Sequence, residues 1–146
     1  MKKLISLYGE LPVFIRRLMG LAVAVMAGVG VMQLGLWLSP FQPPAGAHYN
    51  LETAKYVAWI RSLPVLGWYY VLGALLAGAF ISGAAAQVLV PAMAFPPSLI
   101  AGFVLLFYAI VQFLAFYNPE WMTFASCIGS MIAGRLGGWS ASAIIR

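Results

Sequence analysis

The sequence predicts an all-α polytopic membrane protein, with four transmembrane helices and a short outer interfacial helix between spans one and two. Three observations carry that expectation. Hydrophobic residues make up 64% of the 146 residues and charged residues 8%, against roughly 25% charged in an ordinary soluble domain. Long apolar runs are separated by proline-bearing turns, and the basic residues gather beside those runs.

The first run, 18–38, has about 21 residues without a charge, enough at 1.5 Å per residue to cross a hydrocarbon layer of ~30 Å. It follows Arg16 and Arg17 and precedes Ala45-Gly46-Ala47, a pattern that a secretory signal shares. Its apolar core is longer than a signal's, so it reads as a retained span. The preceding Leu4, Ile5, Leu7, Tyr8, Leu11 and Phe14, set among Lys and Arg, suit a segment lying in the membrane interface. Three prolines between Ser39 and Ala47 remove backbone donors and restrict their neighbours, which ends the span.

Within the outer loop 39–64, Asn50 is a candidate cap for a short helix over about 51–62, with Glu52 in its first turn and Pro64 as its stop. Leu51, Ala54 and Ala58, with Trp59 nearby, form its apolar side. The second span is expected over 65–90, closed by Pro91, and the third over 98–117 after Pro96-Pro97. Asn118-Pro119-Glu120 makes the next turn, and the fourth span runs over 121–141. The whole chain, 1–146, reads as one transmembrane domain.

Orientation follows from the bases. Lys2, Lys3, Arg16, Arg17, Arg135 and Arg146 fall on the side of the two termini, and Lys55 and Arg61 on the other. That bias places both termini in the cytoplasm of a bacterial inner membrane, with the 39–64 loop outside.

Several kinds of chemistry have little to draw on. The acids are Glu10, Glu52 and Glu120, with no Asp, so neither a paired-carboxylate site nor an oxygen-ligand metal site is expected. The net charge of +5 reflects scarce acids as much as abundant bases. Bases flanking apolar runs suit anionic-lipid contacts and match a nucleic-acid face poorly, so membrane lipid is an expected partner and nucleic acid is not. One Cys (Cys127) and one His (His48) supply neither a disulfide nor a Cys/His zinc site within the chain. Bis-His haem ligation inside the membrane has no ligands, and no carboxylate lies within a span to couple protons. No cofactor is expected. His48, Glu52, Glu120 and Asn118 form a small polar group on the outer side, which reads as a solvated loop rather than a catalytic pair.

Small residues recur every fourth position, so that they share a helix face on which backbones approach closely in lipid. In the second span they are Ala74, Gly78, Ser82 and Ala86, with Ala79 and Gly83 adjoining; in the fourth, Ser126, Ser130, Gly134 and Gly138 run beside Gly129, Ala133 and Gly137. The first span carries Gly20, Ala24 and Gly28. These rows read as helix-packing surfaces. The third span, surrounded by Phe103, Phe107, Tyr108 and Phe113, is expected at the lipid-facing rim, with spans one, two and four in closest contact. Leu72 to Gly78 also aligns with Ile128 to Gly134, which raises a duplicated two-helix unit in parallel orientation.

Gln33, Gln112 and Ser126 lie about five residues from the outer boundary, and Tyr69 and Tyr70 reach the same level. They form a candidate polar layer, either an interhelical hydrogen-bond belt or an outward-facing cavity. Arg135 is the one charge inside an expected span, close enough to the inner surface to snorkel beside Trp139.

Arg16-Arg17, Pro43-Pro44-Ala45-Gly46, Leu63-Pro64, the Gly/Ala-rich 72–86, Pro119-Glu120-Trp121 and Ala133 to Gly138 together resemble a group of uncharacterised bacterial integral membrane proteins. The resemblance implies a four-span fold and no assigned activity. The leading functional expectation is a non-enzymatic subunit or accessory protein acting through helix contacts with itself or with a larger membrane complex. The alternative is a small-solute or lipid transporter or channel acting as an oligomer.

Overall fold

The computed structural model describes residues 12–44, 53–90, 95–111 and 119–145. They form five α-helices: α1 (Val13–Trp37), α2 (Thr53–Ser62), α3 (Val65–Leu89), α4 (Pro97–Ala109) and α5 (Glu120–Ile145). Proline sets most of the starts. Pro12 precedes α1 and accepts a bond from the Arg16 amide at 3.1 Å, Pro64 precedes α3, and Pro97 occupies the first turn of α4 after Pro96. Each places a residue without an amide hydrogen where the helix leaves such donors unpaired. The C-terminus of α1 is closed by one side chain: Gln42 Nε2 donates to the carbonyls of Leu36 at 3.0 Å and Ser39 at 2.9 Å, and to that of Trp37.

The expected four transmembrane spans are not what the structure contains. Two helices, α1 and α3, each of 25 residues, are long and apolar enough to cross a membrane. The described part of α4 has 13 residues, about 20 Å at the helical rise and short of a hydrocarbon layer. With 26 residues α5 has the length, but it is not apolar enough to qualify. Its glycines and serines, together with Arg135, dilute its hydropathy. The protein is thus membrane-associated and, among the described residues, all-helical with two candidate spans in place of four.

The longer helices pack with α3 between α1 and α5, and with α4 against all three. Their directions follow from the contacts. In α1, Gly20 lies against Leu89, Gly28 against Ser82 and Gly78, and Gly35 against Ala74, so α1 and α3 are antiparallel. Tyr69 stacks on Trp121 at 5.1 Å while Gly83 meets Gly134, so α3 and α5 are parallel. Ser98 meets Gly138 and Gly102 meets Ser130, so α4 and α5 are antiparallel. The two antiparallel pairs cross at corresponding glycines, Gly28 on Gly78 and Gly102 on Gly134. Gly78 and Gly134 are the residues that the 72–78 and 128–134 alignment equates.

A rim position for the third apolar run does not hold for the described residues. One side of α4 (Ser98, Ala101, Gly102, Leu105, Leu106, Ala109) is buried against its neighbours, and only the other side, with Phe103 and Phe107, is exposed. The core has two parts. Bulky side chains, including Met32, Ile60, Trp68, Leu75, Leu105 and Met122, fill the end near α2, whereas Ala24, Ala86, Val90 and Ala101 pack closely at the other. The buried side of α2 is also opposite to expectation: Tyr56 and Ile60 point into the core while Ala54 and Ala58 are exposed. Two large side chains remove more apolar area from water than two alanines, and that decides which face turns inward. Residues 51 and 52 of the expected helix, and its cap Asn50, lie outside the described residues.

Candidate functional site

The helix-packing residues sit at close backbone contacts. A Cβ built on Gly83 or on Gly137 would overlap backbone atoms, those of Gly134 and Phe80 respectively. One on Gly78 would lie 2.6 Å from the Gly28 carbonyl oxygen, and one on Gly134 2.9 Å from that of Ser98. Gly138 faces the Ser98 side chain, and Gly129 accommodates Leu76. Ala74 packs at Gly35, Ser82 is fully buried beside Gly28, and Ala133 is half-buried against the larger core cluster. The rows therefore meet partners inside this chain, where the absence of a side chain lets two backbones approach.

The polar layer is distributed differently. Gln33 Nε2 donates to the Tyr108 hydroxyl at 3.2 Å, joining α1 to α4. Tyr69 and Tyr70 are exposed, stacked on Trp121 and set edge-on to Phe41 at 5.8 Å. Ser126 is fully buried, and its hydroxyl finds no hydrogen-bond partner among the described residues. It lines a cavity of about 10 Å³ together with Met32, Leu36, Val71, Leu75, Ala109 and Met122. That space is at the lower limit for one water and offers a single polar group. Gln112 lies outside the described residues. The contacts of Tyr69 and Tyr70 are thus with aromatic rings, whereas Gln33 bonds Tyr108. The partner of Gln33, Tyr108, was readable as an aromatic of the third run but not as a polar group facing α1.

A larger concavity, of about 490 Å³, opens on the surface between α1 and α3. It is lined by the small residues Gly35, Gly73, Ala74 and Ala77 and by Leu66, Tyr69 and Tyr70. A Cβ on Gly73 would meet nothing within 4 Å. Leu66, Tyr69/Tyr70, Gly73 and Ala77 recur at helical intervals in the sequence, beside the row through Ala74 and Gly78.

Arg135 is exposed on α5. Its neighbour Gly138 lies against Ser98, the second residue of α4, so Arg135 stands about 5 Å inside the end where α4 begins. Of the outer polar group, His48, Glu52 and Asn118 lie outside the described residues, as do Glu10, the other bases near the N-terminus and Arg146; Glu120 is exposed in the first turn of α5, favourably placed for the helix dipole.

Comparison with protein-family models, with curated proteins and with solved structures finds no match. The resemblance to a four-span family is therefore not sustained: no family model supports it, and the structure supplies two candidate spans where that family has four.

Proposed function

We propose that this chain is a non-enzymatic subunit or accessory protein of a bacterial cytoplasmic membrane, with both termini on the cytoplasmic side, acting through helix contacts with a second membrane helix. That helix belongs to another copy of the chain or to a larger membrane complex. The observation that carries the reading is the open groove between α1 and α3, lined by Gly35, Gly73, Ala74 and Ala77, whose small side chains suit the approach of a backbone, together with Leu66, Tyr69 and Tyr70. Small residues on an exposed apolar helix face allow the close approach from which helix association in lipid draws its dispersion energy. The bundle interior supports the same reading, since its close contacts are made by backbones and its enclosed space is small.

The test separates folding from association. A Cβ at Gly73 would meet nothing within 4 Å, so Gly73→Leu should not lower thermal stability, and should gain up to about 1 kcal/mol of helix propensity, while filling the groove. In native-lipid nanodiscs, the unaltered protein should be oligomeric or carry a partner that Gly73→Leu loses. A strictly monomeric protein that co-purifies with nothing would overturn the proposal.

A further inference from the structure

The outward stripe of α5 runs through Phe124, Ile128, Met131, Ile132, Arg135 and Trp139, all exposed, at helical steps of three and four. One residue in this apolar stripe is charged. Arg135 makes no hydrogen bond or ion pair among the described residues, and neither does the indole N–H of Trp139, whose side chain is 69% exposed one turn closer to the bundle end. A guanidinium left among lipid chains is costly, and the cost falls when it reaches the headgroup level and finds an anion. Arg135 lies about 5 Å inside the level at which α4 begins, within reach of its side chain, while α5 itself runs on to Ile145. A guanidinium fork and an indole N–H at positions i and i+4 point the same way and make a pair of donors suited to phosphate oxygens, with Ile132 and Met131 below them against an acyl chain.

The charge of the molecule favours an anionic lipid. The chain carries eight bases and three acids, and the bundle end nearest Arg135 is also the end that carries Arg16 and Arg17, because α1 starts beside the C-terminus of α3. We propose that Arg135 and Trp139 form a docking point for the phosphate of an anionic phospholipid on the outward face of α5. This inference rests on the membrane placement in the proposed function, and it names a lipid as partner where that reading names a helix.

The experiment reconstitutes the full chain into vesicles of phosphatidylcholine alone and of phosphatidylcholine with phosphatidylglycerol, then counts retained lipids by native mass spectrometry. The unaltered protein should retain phosphatidylglycerol in preference to phosphatidylcholine. Arg135→Gln should weaken that retention by about fivefold, the size expected for one base at an anionic surface. Arg135→Lys should keep part of it, and Arg61→Gln, exposed in α2 at the opposite end, should keep all of it. Excess inorganic phosphate should not displace the lipid; displacement would show a free-phosphate site and overturn the assignment. Equal retention of both lipids, or unchanged retention in Arg135→Gln, would also overturn it while leaving the membrane reading intact. Failure of the unaltered protein to enter either vesicle would overturn both.

Discussion

A hydrogen atom in place of a methyl group decides where these helices touch. Gly83 and Gly137 lie on the seam between α3 and α5, and at both a Cβ would overlap the backbone of the other helix. Gly30, on the outer side of α1, has nothing within 4 Å of the same position. Alanine should therefore act in opposite directions at the two kinds of site. Gly83→Ala forces α3 and α5 apart and should cost about 1–3 kcal/mol, as overpacking does elsewhere. Gly30→Ala keeps its surroundings and gains up to about 1 kcal/mol of helix propensity. Thermal unfolding of both variants in one detergent checks this, and a Gly30→Ala variant less stable than Gly83→Ala would refute the assignment of the seam. Much of this was legible in the sequence, because a four-residue repeat of glycine, alanine and serine puts small residues on one helix face, where packing is the commonest use. Which glycine meets which backbone was not legible, since two rows on one helix look alike until the neighbours are known. The hydroxyls were harder still: Ser82, Ser98 and Ser126 are buried with no hydrogen-bond partner among the described residues, while Ser130 donates to the Ser126 carbonyl at 2.7 Å, although all four are serines in small-residue surroundings.

At the scale of elements, the starts set by Pro64 and Pro96-Pro97 were readable, whereas the number of spans and the facing of the helices were not. The boundaries of α3 follow from Pro64 and from the chain leaving helical geometry at Val90. The facing of α4 was obscured because Phe103 and Phe107 dominate its composition, while the contact is made by the quieter series Ser98, Ala101, Gly102, Leu105 and Ala109. The hydropathy of α5 shows the same competition between packing and solvent. The small residues that admit α3 and α4, together with Arg135, keep α5 from being apolar enough to count as a span. In α2, alanines suggested the wrong inner face, and Tyr56 and Ile60 turn inward instead. Ile60 is 0% exposed and joins the larger core cluster. Ile60→Ala should accordingly destabilise the fold by about 2–5 kcal/mol through lost burial and a residual cavity. Ala58→Ser, at an exposed position of the same helix, should change stability by less than ~0.5 kcal/mol. Chemical denaturation of both variants distinguishes a docked α2 from one lying free on the surface, because a free α2 would make the two changes equivalent.

Across the whole molecule, direction is set by pairs of contacts rather than by any single element. Gln33 with Tyr108, and the cluster joining Ala24 to Ala101, make α1 and α4 parallel. Tyr69 with Trp121, and Gly83 with Gly134, do the same for α3 and α5. The start of α1 and the end of α5 therefore share one end of the bundle, and α2 caps the other through Tyr56 and Ile60. This arrangement makes a topological prediction that needs no assumption about which side is cytoplasmic. In a Cys127→Ser background, single thiols at Val13, Ala58 and Ala143, all exposed, can be treated with a membrane-impermeant reagent in sealed vesicles. Val13 and Ala143 should label from the same side, and Ala58 from the opposite side. If the excess of bases at the first end governs insertion, Val13 and Ala143 will be the pair protected in intact cells. Labelling of Val13 and Ala143 from opposite sides would contradict the parallel pairing of α3 with α5, because that pairing is what returns the chain to the end at which α1 begins.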